Sequence, residues 1–122
     1  SNILCRGEHG VYLRGWETQP IEDVVLDNVR VEVGKTSDQP GGFYDGRPDG
    51  LFRVIYTNTI AGIHCAFVLG LTLRNTQVVW GERLESYYGP ALEARRVEDL
   101  KLEQFRGKAA HPGKTPDQIV EP

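Results

Sequence analysis

Asp45 and Asp49 form the one close acidic pair on a loop of this chain that could be set to work on a substrate. They lie in Tyr44-Asp45-Gly46-Arg47-Pro48-Asp49-Gly50. Inverting hydrolysis of a glycosidic bond needs one carboxyl as acid and a second to activate water, roughly 6.5–9.5 Å away. Arg47 on the same loop can pair with the carboxylate of an acidic sugar, and Tyr44 offers a ring for a sugar face. The same string is also an ordinary turn signal, because Asp and Gly suit the backbone of tight turns. A structural turn is therefore the favoured reading, a binding loop the second, and catalysis the third. Among the other loop aromatics, Trp80 is expected to pack under the Tyr87-Tyr88 loop. Trp16 is the better candidate to touch a ligand or partner.

The remaining reactive groups are sparse. His9, His64 and His111 are too scattered for a metal site. His64 alternates with the apolar Ile63 and Cys65, so it is expected to face outward as a surface residue. No Ser-His-Asp spacing, phosphate loop or zinc signature is present. No catalytic residue, metal or cofactor is assigned on this basis. Cys5 and Cys65 fall in different repeat slots and read as small core residues rather than a disulfide. A net charge of −3 with a pI near 5.6 leaves no basic field for nucleic acid. No apolar run is long enough to span a membrane. No secretion leader is visible, which leaves the compartment open.

What must position these groups is a repeat. Three segments align: Ile21-Glu22-Asp23-Val24-Val25-Leu26-Asp27-Asn28-Val29-Arg30-Val31, Val68-Leu69-Gly70-Leu71-Thr72-Leu73-Arg74-Asn75-Thr76-Gln77-Val78, and Val97-Glu98-Asp99-Leu100-Lys101-Leu102-Glu103-Gln104-Phe105-Arg106-Gly107. A fourth copy starts with Asn2 in the amide slot, followed by Ile3 and Cys5. Apolar residues recur with period two, as in Val29-Arg30-Val31-Glu32-Val33, which is strand periodicity. Further strands precede the repeats at 10–15, 62–66 and 90–94. Asparagine suits a corner because it tolerates left-handed backbone. Stacked in register, its amide can also bond the amide of the next copy. The long interval between Asn28 and Asn75 is read as one coil carrying an excursion, since residues 34–50 are rich in Gly, Pro and Asp. Residues 51–56 are expected to add a strand at its end. Repeats of this kind bury their apolar faces against one another in a solenoid.

With those residues in view, Gly10-Val11-Tyr12-Leu13-Arg14-Gly15 followed by Pro20 to Val29 resembles the later coils of family 28 glycoside hydrolases, the polygalacturonase-like enzymes. Gly70 to Asn75 and Gly89-Pro90-Ala91-Leu92-Glu93-Ala94 to Gly107 resemble their final coils. The resemblance implies a right-handed parallel β-helix from a pectin-active enzyme that inverts α-linked galacturonides with aspartates. It also implies an extracellular or periplasmic setting. The family signatures are Asn-Thr-Asp, Asp-Asp, Gly-His-Gly and Arg-Ile-Lys. None of them occurs here, so no catalytic residue carries over.

The resulting expectation is an all-β, right-handed parallel β-helix, a short solenoid of about four coils. It covers 1–110 with an excursion over about 34–61, and an irregular tail follows at 111–122. Its function is that of a C-terminal β-helical segment of a polygalacturonase-like hydrolase acting on galacturonan, itself without catalytic groups. The substrate-binding candidates are Tyr44, Asp45, Arg47, Asp49 and Trp16. Its partners are the polysaccharide, through the parent protein, and upstream coils or a second copy at the open N-terminal end. A stand-alone structural or interaction module is the alternative, and a small enzyme using Asp45 and Asp49 is the third reading. A self-sufficient module is expected to open with a cap, whereas this sequence opens inside a coil.

Overall fold

A computed structural model describes residues 3–37 and 60–121, together with the strands Phe43–Asp45 and Ile55–Thr57, for which only the backbone is considered. Nine strands are present and no helix is found among the described residues: β1 (Ile3–Gly7), β2 (Val11–Arg14), β3 (Ile21–Asp27), β4 (Val29–Val33), β5 (Phe43–Asp45), β6 (Ile55–Thr57), β7 (Ile63–Trp80), β8 (Leu92–Arg106) and β9 (Gln118–Glu121). The protein is all-β. Seven strands form one sheet in which every pairing is parallel, and β5 and β6 form a separate antiparallel hairpin.

The pairings follow the repeat. β2, β3 and β4 lie in sequence order along the single long strand β7, and β7 lies in turn along β8. Ile21, Val68 and Val97 are partners in one column, and Leu26, Leu73 and Leu102 in another. β1 extends the sheet beyond β4, and β9 extends it beyond the first part of β8. Asn28 and Asn75 are hydrogen-bonded neighbours across 47 positions. The long interval is therefore one row with an excursion, as the turn-rich composition implies. Residues 51–54 of the expected extra strand lie outside the described residues, while Ile55–Thr57 is a strand. The C-terminal stretch differs from the expected irregular tail. Gln118–Glu121 joins the sheet beside Leu92–Arg95, because alternate positions there continue the columns of β8.

A strand of 18 residues stays in one sheet only because it bends. The bends are single residues with positive φ: Phe67 (55°), Gly70 (87°) and Asn75 (46°) in β7, and Arg96 (55°), Asp99 (55°) and Gln104 (58°) in β8. Asp23 (53°) and Asn28 (60°) occupy the equivalent places in the preceding row. Each bend thus sits beside the bend of its neighbour, so adjacent rows turn together and their ladders remain paired. For a residue other than glycine this conformation costs roughly 1–2 kcal/mol, least for Asn and Asp. The sequence satisfies that preference at four of these positions and overrides it at Phe67, Arg96 and Gln104.

Burial follows from row position. Ile63, Cys65, Val68, Leu71 and Leu73 of the middle row are completely buried, with a neighbour on each side. Their partners Val11, Leu13, Ile21, Val24 and Leu26 are half-buried, with a neighbour on one side only. At the other end Leu100 and Phe105 are half-buried and Leu102 is 38% exposed. Rows pack closely where glycines meet: a Cβ on Gly10 would lie 1.8 Å from the Gly62 carbonyl oxygen. Cys65 is buried and Cys5 partly so, and both are free thiols. Burial pushes the Cys65 thiol up to about 12, leaving it an inert packing group.

Glu8 ties the start of the excursion to the end of β1. Its carboxylate accepts hydrogen bonds from the backbone N–H of Thr36 (2.8 Å) and Ser37 (2.6 Å), the Ser37 hydroxyl (2.9 Å) and Lys35 Nζ (3.2 Å). These donors, the two backbone N–H groups foremost, hold the Glu8 carboxyl down at about 2.

Two predictions follow from this packing. Leu73 and Leu102 share one column, so Leu73→Ala in the middle row costs about 2–5 kcal/mol in urea unfolding, while Leu102→Ala costs under about 1. Equal costs would contradict the row-dependent burial. A lowered carboxyl stabilises the fold above its unfolded value of 4.5 and loses that contribution as pH falls through about 2. The Thr36 and Ser37 amide resonances should therefore titrate with a midpoint near 2, and a midpoint near 4.5 would show that the clamp is not formed.

Candidate functional site

The residues singled out in the sequence do not form one described cluster. Trp16 is 59% exposed, on a tight turn closed by reciprocal backbone hydrogen bonds with Gln19. That position matches the expectation of an exposed aromatic. Tyr44 and Asp45 belong to β5, where their backbones pair with Tyr56 and Ile55. Arg47 and Asp49 lie outside the described residues. Trp80 packs against Tyr88, with ring centroids 5.3 Å apart, and Tyr87 meets Tyr88 edge-on, which places this aromatic cluster under its loop as expected. Trp80 Nε1 also donates to the Lys108 carbonyl at 2.7 Å.

His64 differs from the expected surface residue. It alternates with core residues as read, yet it is only 7% exposed. The register places it between Tyr12 and Glu93. Its ring stacks on Tyr12 with centroids 5.1 Å apart and planes 11° from parallel, and its Nδ1 is hydrogen-bonded to the Glu93 carboxylate. Arg95 bonds the other Glu93 oxygen at 3.2 Å and reaches Glu121 at 2.6 Å. Burial works against ionisation of Glu93, but the His64 and Arg95 contacts outweigh it and hold the carboxyl below its ordinary range. A residue-by-residue periodicity cannot show this, since the cover comes from the rows on either side. The pair is closed to solvent, so it fastens three rows together rather than meeting a substrate.

A second arrangement lies open to solvent. The corner residues Asn28, Asn75 and Gln104 stack across three rows, and Asn75 Nδ2 donates to Asn28 Oδ1 at 2.9 Å. Two positions further along each row, Arg30, Gln77 and Arg106 form a parallel column. Between and around these columns runs a groove of about 400 Å³, with Ile3 and Leu4 at its N-terminal end. Arg30 shares its guanidinium with Glu32 through Nε at 3.0 Å. The side chains of Gln77, Gln104 and Arg106 have no hydrogen-bond partner among the described residues. The groove therefore offers amide donors and acceptors beside guanidinium donors, a set suited to hydroxyls and carboxylates. The signal was present in the sequence, because Arg30 and Arg106 hold the same repeat slot. It gains meaning only once the register sets those slots side by side. No group of His, Cys, Asp and Glu suited to a metal occurs among the described residues.

Glu93→Ala removes the buried acceptor of His64 and should cost about 1–3 kcal/mol in denaturant unfolding. An unchanged midpoint would show that the pair carries no weight in the fold. Comparison of the chain with family models, with curated proteins and with solved structures gives no match in any of the three.

Proposed function

We propose that this chain is a right-handed parallel β-helical segment whose role is structural: it stacks on further coils of a polygalacturonase-like glycoside hydrolase acting on galacturonan. The observation that carries the β-helical part is the burial pattern. A row with a neighbour on each side has a dry interior, and the same columns are half-open in the row before it. The carbohydrate part is supported by the family-like strings at 10–29, 70–75 and 89–107. The segment itself supplies no catalytic pair, since the family signatures are absent from its sequence.

The N-terminal face is the docking surface of this reading. Ile3 is 49% exposed, and Val11, Leu13, Ile21, Val24 and Leu26 of the core columns are half-buried. A paired row covering them would extend the ladder and remove apolar surface from water. Charge bears on what that row is. Asp27, Arg74 and Glu103 form an alternating column, with Arg74 Nε 2.8 Å from Glu103 and Nη1 3.9 Å from Asp27. A second copy stacked head-to-tail in register would set Glu103 against Asp27, Glu98 against Glu22 and Asp99 against Asp23. Like charges directly opposite are unfavourable, so the covering row has another sequence, that of upstream coils.

For the isolated chain that charge pattern disfavours an open head-to-tail filament, and the apolar N-terminal face is expected to be covered in a closed dimer. Sedimentation should show a monomer–dimer equilibrium, with Val24→Lys shifting it to monomer. A concentration-independent monomer, or open-ended assembly, would overturn this surface. In parallel, the chain should release no reducing ends from polygalacturonate. Hydrolysis abolished by Asp45→Asn or Asp49→Asn would replace the structural role with a catalytic one.

A further inference from the structure

The amide–guanidinium groove meets the N-terminal docking face at Ile3, but its columns of amides and guanidinium groups run across the rows and are not used by that docking, and Trp16 does not line it. We propose that it binds a carboxylated oligosaccharide lying across the rows. This inference rests on the galacturonan reading above for the identity of the polymer, and on the groove for the site.

The geometry supplies two tracks. Neighbouring rows in a sheet are about 4.8 Å apart, so the Asn28–Asn75–Gln104 column presents a side-chain amide at every row. Asn75 Nδ2 and Asn28 Oδ1 bond each other, whereas the Gln104 amide, without a hydrogen-bond partner among the described residues, offers both a donor and an acceptor to a sugar hydroxyl. The column beside it reads Arg30, Gln77, Arg106. Its two guanidinium groups are two rows apart, roughly 9–10 Å, with a neutral amide between them. A polymer whose carboxylates recur on one side can engage both guanidinium groups, by charge-assisted and bidentate hydrogen bonds.

The two arginines are not equivalent. Arg30 is already drawn to Glu32, which also receives Arg6 Nε at 2.7 Å. Arg106 has no carboxylate partner among the described residues, so it is the stronger determinant for an acidic ligand. The corner geometry is the reason the groove is firm. Asn28, Asn75 and Gln104 all have left-handed backbone and so are fixed in place by the bends of the sheet. The Asn75–Asn28 hydrogen bond orders two of these side chains in advance, which lowers the cost of association.

The test is an NMR titration of the isotope-labelled chain with a galacturonate oligomer, its methyl-esterified form and poly-glutamate. The expected result is perturbation of the side-chain amides of Asn28, Asn75, Gln77 and Gln104 by the galacturonate oligomer. Affinity should fall roughly tenfold on esterification and again in Arg106→Gln. Arg106 is exposed, and an otherwise unchanged amide spectrum identifies the variant as folded. Perturbations confined to Trp16 or to Tyr44 and Asp45 would overturn the groove and leave the galacturonan reading standing. Equal binding of poly-glutamate would overturn the saccharide class. No response to either oligomer would remove both the groove and the galacturonan part of the proposed function. The docking surface is judged separately, by sedimentation.

Discussion

Parallel pairing of rows that bend in the same places is the constraint on which the rest of this structure depends. A strand can turn and keep its hydrogen bonds only if its neighbour turns beside it. Single left-handed residues provide the turn, and the register places Asp23, Gly70 and Asp99 together, and Asn28, Asn75 and Gln104 together. Once the bends are aligned, every other position is aligned as well. Leucine meets leucine in the interior, and Asp27, Arg74 and Glu103 meet outside. A slip of one residue would turn each apolar set outward and pull the bends out of step.

The energetics follow from this alignment. The middle row owes its dry interior to its two neighbours, not to an unusually apolar sequence. Where the outer rows lack a neighbour, at residues 11–26 and 100–105, similar residues are half-open. The His64–Glu93 pair is buried for the same reason, between Tyr12 on one side and Arg95 and Glu121 on the other. The Asn28–Asn75–Gln104 groove is a product of the register too, since its seven polar side chains come from three rows far apart in sequence.

Much of the fold was legible before any coordinates. Asn28 and Asn75 marked a corner because asparagine tolerates left-handed backbone, and their amides are bonded as that reading requires. Cys5 beside Val31 beside Val78, and Cys65 beside Ala94, are the partners that the repeat implied. The bends at Phe67 and Arg96 were not legible, since bulky side chains disfavour that conformation and only neighbouring rows impose it. The strand at Gln118–Glu121 was hidden by its short length among Pro, Lys and Asp. His64 showed the limit of periodicity, which reports the side of a strand but not what lies over it. Of the candidate site residues, Trp16 is exposed on its own turn, and Tyr44 and Asp45 lie on a strand paired with Ile55–Thr57.

Native-state hydrogen exchange tests the row account most directly. If stability is set by having a paired neighbour on each side, backbone amides of residues 63–80 exchange slowest, by global opening. Those of 21–27 and 97–106 then exchange faster through opening from the uncovered ends. Uniform protection across the three rows, or slowest exchange in either outer row, would contradict it.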